Sequence, residues 1–212
     1  MTTTDQATDL TPDPDAAERE ILLRYLAVAR DCLVWKLDGL SERDARWPVT
    51  PTGTNLLGLV KHAAGVEIGY FGETFGRAWP GPDLAWMRDD APVDADMWAA
   101  AHESVPYLVD LYRSVWAFAD DLLTTAPLDL PGHVPWWANG DVTLRQVVVH
   151  VTSDLTRHAG HADIVRELLD GAVGLRPQAL NVPEQSAQDW ADYVRDLRTL
   201  ADSFATTPRS TS

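Results

Sequence analysis

The sequence predicts an all-α protein: an antiparallel four-helix bundle with long loops and an extra C-terminal helix. Three observations lead there. Apolar residues recur at three- and four-residue intervals over four long stretches, the period that turns one face of a helix to a core. Helix start and stop residues bracket those stretches. No segment alternates apolar and polar residues as a half-buried strand does, and no internal repeat is present. Bundles of this kind build metal and ligand sites from inward side chains on facing helices.

Composition narrows the function classes. At 212 residues and 45% hydrophobic, the chain can bury one substantial core. The reading is a single domain over residues 13–206 between a disordered start, 1–12, and a disordered tail, 207–212. A net charge of −15 repels nucleic acid and anionic membranes, and says nothing specific about substrate. No run of eighteen apolar residues suggests a membrane span, and the start MTTTDQATDLTPDPD is unlike a signal peptide. Cys32 is the single cysteine, which excludes an internal disulfide and fits a reducing cytoplasm. It lies beside an apolar stripe and reads as a small core hydrophobe.

Asp13-Pro14 starts the first helix, with Leu22, Tyr25, Leu26, Ala29, Leu33 and Leu37 as its inward face and Asp38-Gly39 as its end. After a loop holding Trp47-Pro48 and Pro51-Thr52-Gly53, Thr54 caps a second helix that stops near Gly76. Leu59, His62, Val66 and Tyr70 share one face of it, so His62 points where the apolar residues point. Lys61, Glu67 and Glu73 are placed on the solvated side, with Glu67 also a candidate to support a ligand from behind. Residues 77–92, with Trp79 and Trp86, form a long irregular connection. A short helix is expected over Asp94–Ala101. The third long helix runs from Ser104, with Pro106 in its first turn, to Thr125, burying Leu108, Leu111, Tyr112, Val115, Phe118, Ala119 and Leu122. Residues 127–140 carry His133, Trp136 and Trp137 toward the fourth helix. Residues 183–205 read as the extra C-terminal helix.

The fourth helix, TLRQVVVHVTSDLTRHAGHADIVRELLDG, carries the chemistry. Thr143 and Gln146 read as a capping box and Asp170-Gly171 as a stop. Its stripe is Leu144, Val147, Val148, Val151, Leu155, Ala162, Val165, Leu168 and Leu169, and Asp154 and His158 fall inside it. They stand about 40° apart round the axis and about 6 Å along it. A carboxylate on a core-facing stripe needs its charge compensated. A divalent metal would do so, and Asp-x-x-x-His lets two side chains reach one ion. A pairing of Asp154 with Arg157 or His158 would also do so. His150 and His161 lie on the same arc. From these residues alone both readings stay open.

The stretches PTGTNLLGLVKHAAGVEIGYFGETFG and HVTSDLTRHAGHADIVRELLDG resemble the two signature helices of the DinB-like (YfiT-like) superfamily, in its actinobacterial mycothiol-transferase-like branch. The superfamily's H-x-x-x-H-R-G-Q pattern lies over residues 154–161. The resemblance covers the chain up to about Gly171. It implies one divalent metal, zinc or nickel, held by His62, Asp154 and His158, with His161 in reserve. This sequence has aspartate where the family commonly has histidine or glutamate, and its carboxylate reaches less far. Three protein ligands leave a coordination position open, the mark of a catalytic site. The implied activity is transfer of a mycothiol-like low-molecular-weight thiol to an electrophilic small molecule, a detoxifying reaction. His150 and His161 are the candidates to orient ligands or relay a proton, and Trp136 and Trp137 to shape the entrance. Competing readings are a metal-dependent hydrolase using activated water and a non-catalytic, stress-associated metal-binding bundle. A homodimer is left open.

Overall fold

The computed structural model describes residues 15–205. The expected disordered ends and the Asp13-Pro14 helix start lie outside the described residues. Four long helices form the bundle: α1 (Ala16–Trp35), α3 (Leu56–Phe71), α4 (Val105–Thr125) and α5 (Leu144–Asp170). A single turn of helix, α2 (Glu42–Ala45), lies between the first two, and α6 (Ala187–Asp202) follows the last. Among the described residues no helix is long and apolar enough to cross a membrane.

The direction of each helix follows from side-chain bonds at both ends. Arg145 reaches Glu18 near the start of α1 and Arg166 reaches the Lys36 carbonyl just past its end, so α1 and α5 run the same way. Glu67 meets Tyr112, and Arg77 reaches the Phe118 carbonyl, so α3 and α4 share the opposite direction. α3 and α5 are antiparallel, with His62 beside His158 and Tyr70 beside His150. Two like-directed helices in sequence require a return crossing, and residues 72–104 make it.

Local signals account for most boundaries. Thr143 accepts from the Gln146 N–H, and Gly171, at φ 80°, closes α5 in the left-handed region that glycine tolerates. Ser104 caps α4. The cap of α3 is Asn55 rather than Thr54, its side chain accepting from the Gly58 N–H at 2.7 Å. The long crossing contains no helix over 94–101, contrary to expectation: Asp94 sits at φ 55°, and the carbonyls of residues 97–100 are bonded by side chains from elsewhere. A short antiparallel ribbon, β1 (Pro131–His133) with β2 (Asp141–Thr143), departs from the expectation of no strands. Three residues are too few to show alternation.

The core contains almost every apolar position expected in α4 and α5. Leu168 is an exception at 67% exposed, and so is Tyr25 on the expected inward face of α1 at 58%. Lys61 and Glu67, expected in solvent, are buried at 2% and 0% exposure. The reason is that α3 is apolar nearly all round and is enclosed by α4, α5 and the crossing segment. Glu67 does not support a metal ligand. It accepts from Arg30 Nε at 3.0 Å and from the Tyr112 hydroxyl at 2.9 Å. α6 has no buried residue.

Candidate metal centre

His62 sits on α3, nearly two turns past its start, and Asp154 and His158 sit one turn apart near the middle of α5. Antiparallel packing of these two helices brings the three together. One donor atom from each lies within 4.8 Å of the others. The His62 and His158 rings meet edge to face with centroids 4.7 Å apart. The nearest approach of Asp154 to His158, Oδ2 to Nε2, is 3.7 Å, too long for a hydrogen bond.

The polar groups here are left incomplete. Asp154 Oδ2 and His158 Nδ1 are sealed from solvent with no hydrogen-bond partner among the described residues. An unpaired carboxylate oxygen in that position is costly. Burial, reinforced by the His62 ring, holds His158 below the ordinary imidazole value, so it is neutral at pH 7. A neutral imidazole is the form that ligates. Metal–donor bonds of about 2.0–2.2 Å put tetrahedral donors about 3.4 Å apart. The observed spread is within reach of side-chain adjustment, and the three residues fit a divalent cation.

His62 is held by Asp96, whose Oδ2 lies 2.7 Å from Nδ1. That hydrogen bond keeps the Asp96 carboxyl below its usual range. Sequence reasoning missed Asp96, because it comes from the crossing segment and no spacing links it to His62. His150 stands between Tyr70 and Trp137, each ring centroid 4.8 Å away. Trp136 and Trp137 both donate their indole N–H to the Tyr70 hydroxyl, at 3.4 and 3.2 Å. Tyr70 and Trp136, with His62, His150, Asp154 and Met87, line a cleft of about 380 Å³. His161 is exposed and outside the three-donor group, its ring 5.4 Å from that of His158.

Residues 21–171 match the mycothiol S-transferase family. The chain belongs to that family. Its helical architecture is that of the DinB-like bundles expected from the two signature helices. A search among curated protein sequences returns no match. Among solved structures, a conserved protein of Enterococcus faecalis is similar at 18% identity and a TM-score of 0.49, covering 76% of this chain and 99% of its own. α6 lies beyond the matched residues.

Proposed function

We propose that this protein is a divalent-metal-dependent transferase that joins a low-molecular-weight thiol of the mycothiol type to an electrophilic small molecule. The observation that supports it is the meeting of His62, Asp154 and His158, with sealed and unpartnered polar atoms, in a mycothiol S-transferase family chain. His62, Asp154 and His158 would hold the ion, zinc or nickel, since imidazole and carboxylate donors suit both. When bound there, such an ion supplies Lewis-acid stabilisation of a thiolate at neutral pH.

The chain's own residues do the rest. The sulfur has to come from a ligand, because the chain offers no reactive thiol of its own. Cys32 is fully buried, and burial together with the Asp163 charge pushes it up to about 11. Tyr70, Trp136 and Met87 give the electrophile an apolar, aromatic wall beside Asp154. Trp137 braces Tyr70 from behind, which fixes the wall's shape. His150, held between two rings, orients a polar substituent of the substrate in the cleft. His161, exposed beside His158, carries a proton to solvent.

The test is metal analysis of the purified protein together with turnover of mycothiol and monochlorobimane. About one equivalent of metal and thiol-dependent conjugation are expected, both lost in His158→Ala. Protein without metal, or His158→Ala with unchanged metal content, overturns the proposal. Turnover of an electrophile at the same rate without thiol replaces it with the hydrolytic reading.

A further inference from the structure

The crossing segment around Asp96 is irregular yet held by side chains at the carbonyls of residues 97–100 and 103. Asn55 Nδ2 donates to the Met97 carbonyl at 3.2 Å, and Lys61 Nζ to that of Trp98 at 3.0 Å. Arg46 donates to the carbonyls of Ala99, Ala100 and Glu103 at 2.8, 3.1 and 2.7 Å. Glu103 is buried, bonded to Lys61 Nζ at 2.8 Å and to the Ala100 N–H at 2.6 Å. Gly58 completes the attachment: a Cβ there would stand 1.9 Å from the Met97 oxygen, so only glycine admits the segment this close to α3.

Fixing a segment without helix or strand carries a large entropic cost. Here it delivers one carboxylate to one ring nitrogen. Asp96 itself is 35% exposed, and a polar contact that open adds little to folding stability. Its consequence is chemical. With Nδ1–H donated to Asp96, His62 keeps a lone pair on Nε2 alone, so Nε2 is the ring nitrogen left to ligate. A carboxylate on the far nitrogen also raises the basicity of the ligating one.

We propose that Asp96 is a positioning residue that fixes the His62 tautomer and thereby sets the affinity of the His62, Asp154 and His158 group for a divalent cation. The inference rests on the metal-centre reading above and goes beyond it, since it assigns a role outside the two signature helices. Asp96 touches neither substrate nor ion, and it acts through His62. Loss of such a partner typically lowers metal affinity about 10–100-fold.

Two measurements on the full chain test it. The first is a Zn²⁺ titration of apo protein against a chelating indicator dye, for wild type, Asp96→Ala, Asp96→Glu and His62→Ala. Asp96→Ala is expected to weaken Zn²⁺ binding about 10–100-fold with its thermal midpoint unmoved, and Asp96→Glu to recover part of the loss. The second is ¹⁵N NMR of the imidazoles in apo protein, which needs no metal. His62 is expected as the Nδ1–H tautomer in wild type and as a mixture in Asp96→Ala. Wild-type His62 protonated on Nε2 overturns the inference, as does Asp96→Ala binding Zn²⁺ within about twofold of wild type while His62→Ala does not bind. No Zn²⁺ binding by wild type overturns the metal-centre reading and this inference with it.

Discussion

Glu67 on α3 and Asp154 on α5 are carboxylates turned into the same bundle, and their surroundings differ in kind. Glu67 is wholly sealed and its charge is cancelled at home. Arg30 forks onto it, and the Tyr112 hydroxyl donates to it. Burial alone would pull the Arg30 guanidinium down, but Glu67 and Asp120 outweigh that and keep it protonated. Asp154 is 31% exposed, yet its buried oxygen has no donor, and the two imidazoles beside it do not supply one. The first group is a finished joint between α1, α3 and α4. The second lacks a cationic partner, and that separates a structural charge from one held for a ligand.

The largest effect that sharpens this contrast is on folding. Glu67→Ala leaves the Arg30 charge buried opposite a half-exposed Asp120, and breaking a buried pair costs about 3–5 kcal/mol. Urea unfolding is expected to register that loss with or without zinc. The counterpart at Asp154 runs the other way. Zinc at about 100 times its dissociation constant should stabilise wild type by about 2.7 kcal/mol, and leave His158→Ala and Asp154→Asn where they were. Equal zinc stabilisation in those two variants would erase the distinction between the two carboxylates.

How much of this was legible in the sequence follows from where each signal lies. Helix ends were readable because capping is local: Thr143, Ser104 and Gly171 act within a turn of their own positions. Asp154 and His158 were readable because they interrupt an apolar stripe at a ligand spacing. Glu67 was misplaced because its partners, Arg30 and Tyr112, are 37 and 45 residues away. The one local hint is that α3 is apolar nearly all round, which marks an enclosed helix without saying which residue meets the Glu67 charge. Distance also hid Asp96, 34 residues from His62 on a segment whose path is fixed by Lys61, Asn55 and Arg46. The ribbon at residues 131–143 escaped for a different reason. Its three-residue strands are too short to carry a period.

A smaller effect probes the finished joint itself. Tyr112→Phe removes one of the donors to Glu67 while the Arg30 fork remains. The loss should be about 1–1.5 kcal/mol, well below that of Glu67→Ala, with zinc affinity unchanged. A loss as large as that of Glu67→Ala would mean that the hydroxyl, not the guanidinium, carries the joint.

Asp170 gives the smallest effect and an intermediate case, a carboxylate that is paired but at the surface. Hydrogen bonds from Arg166, with help from the Ala172 N–H, hold its carboxyl below the ordinary 3.8. A depressed carboxyl contributes stability above its unfolded value and loses it as pH falls through the folded one. Asp170 itself is exposed although Arg166 is buried, and solvent at the carboxylate keeps the contribution within about 1 kcal/mol. Wild type should therefore exceed Asp170→Asn in urea midpoint by a constant margin from about pH 7 to about pH 5. The margin should shrink below about pH 4 and close once the carboxyl is protonated in both states. A margin that persists unchanged into strong acid would show that the amide of the Asp170→Asn variant disturbs α5 by its shape. The charge on Asp170 would then have no part in holding the end of the helix.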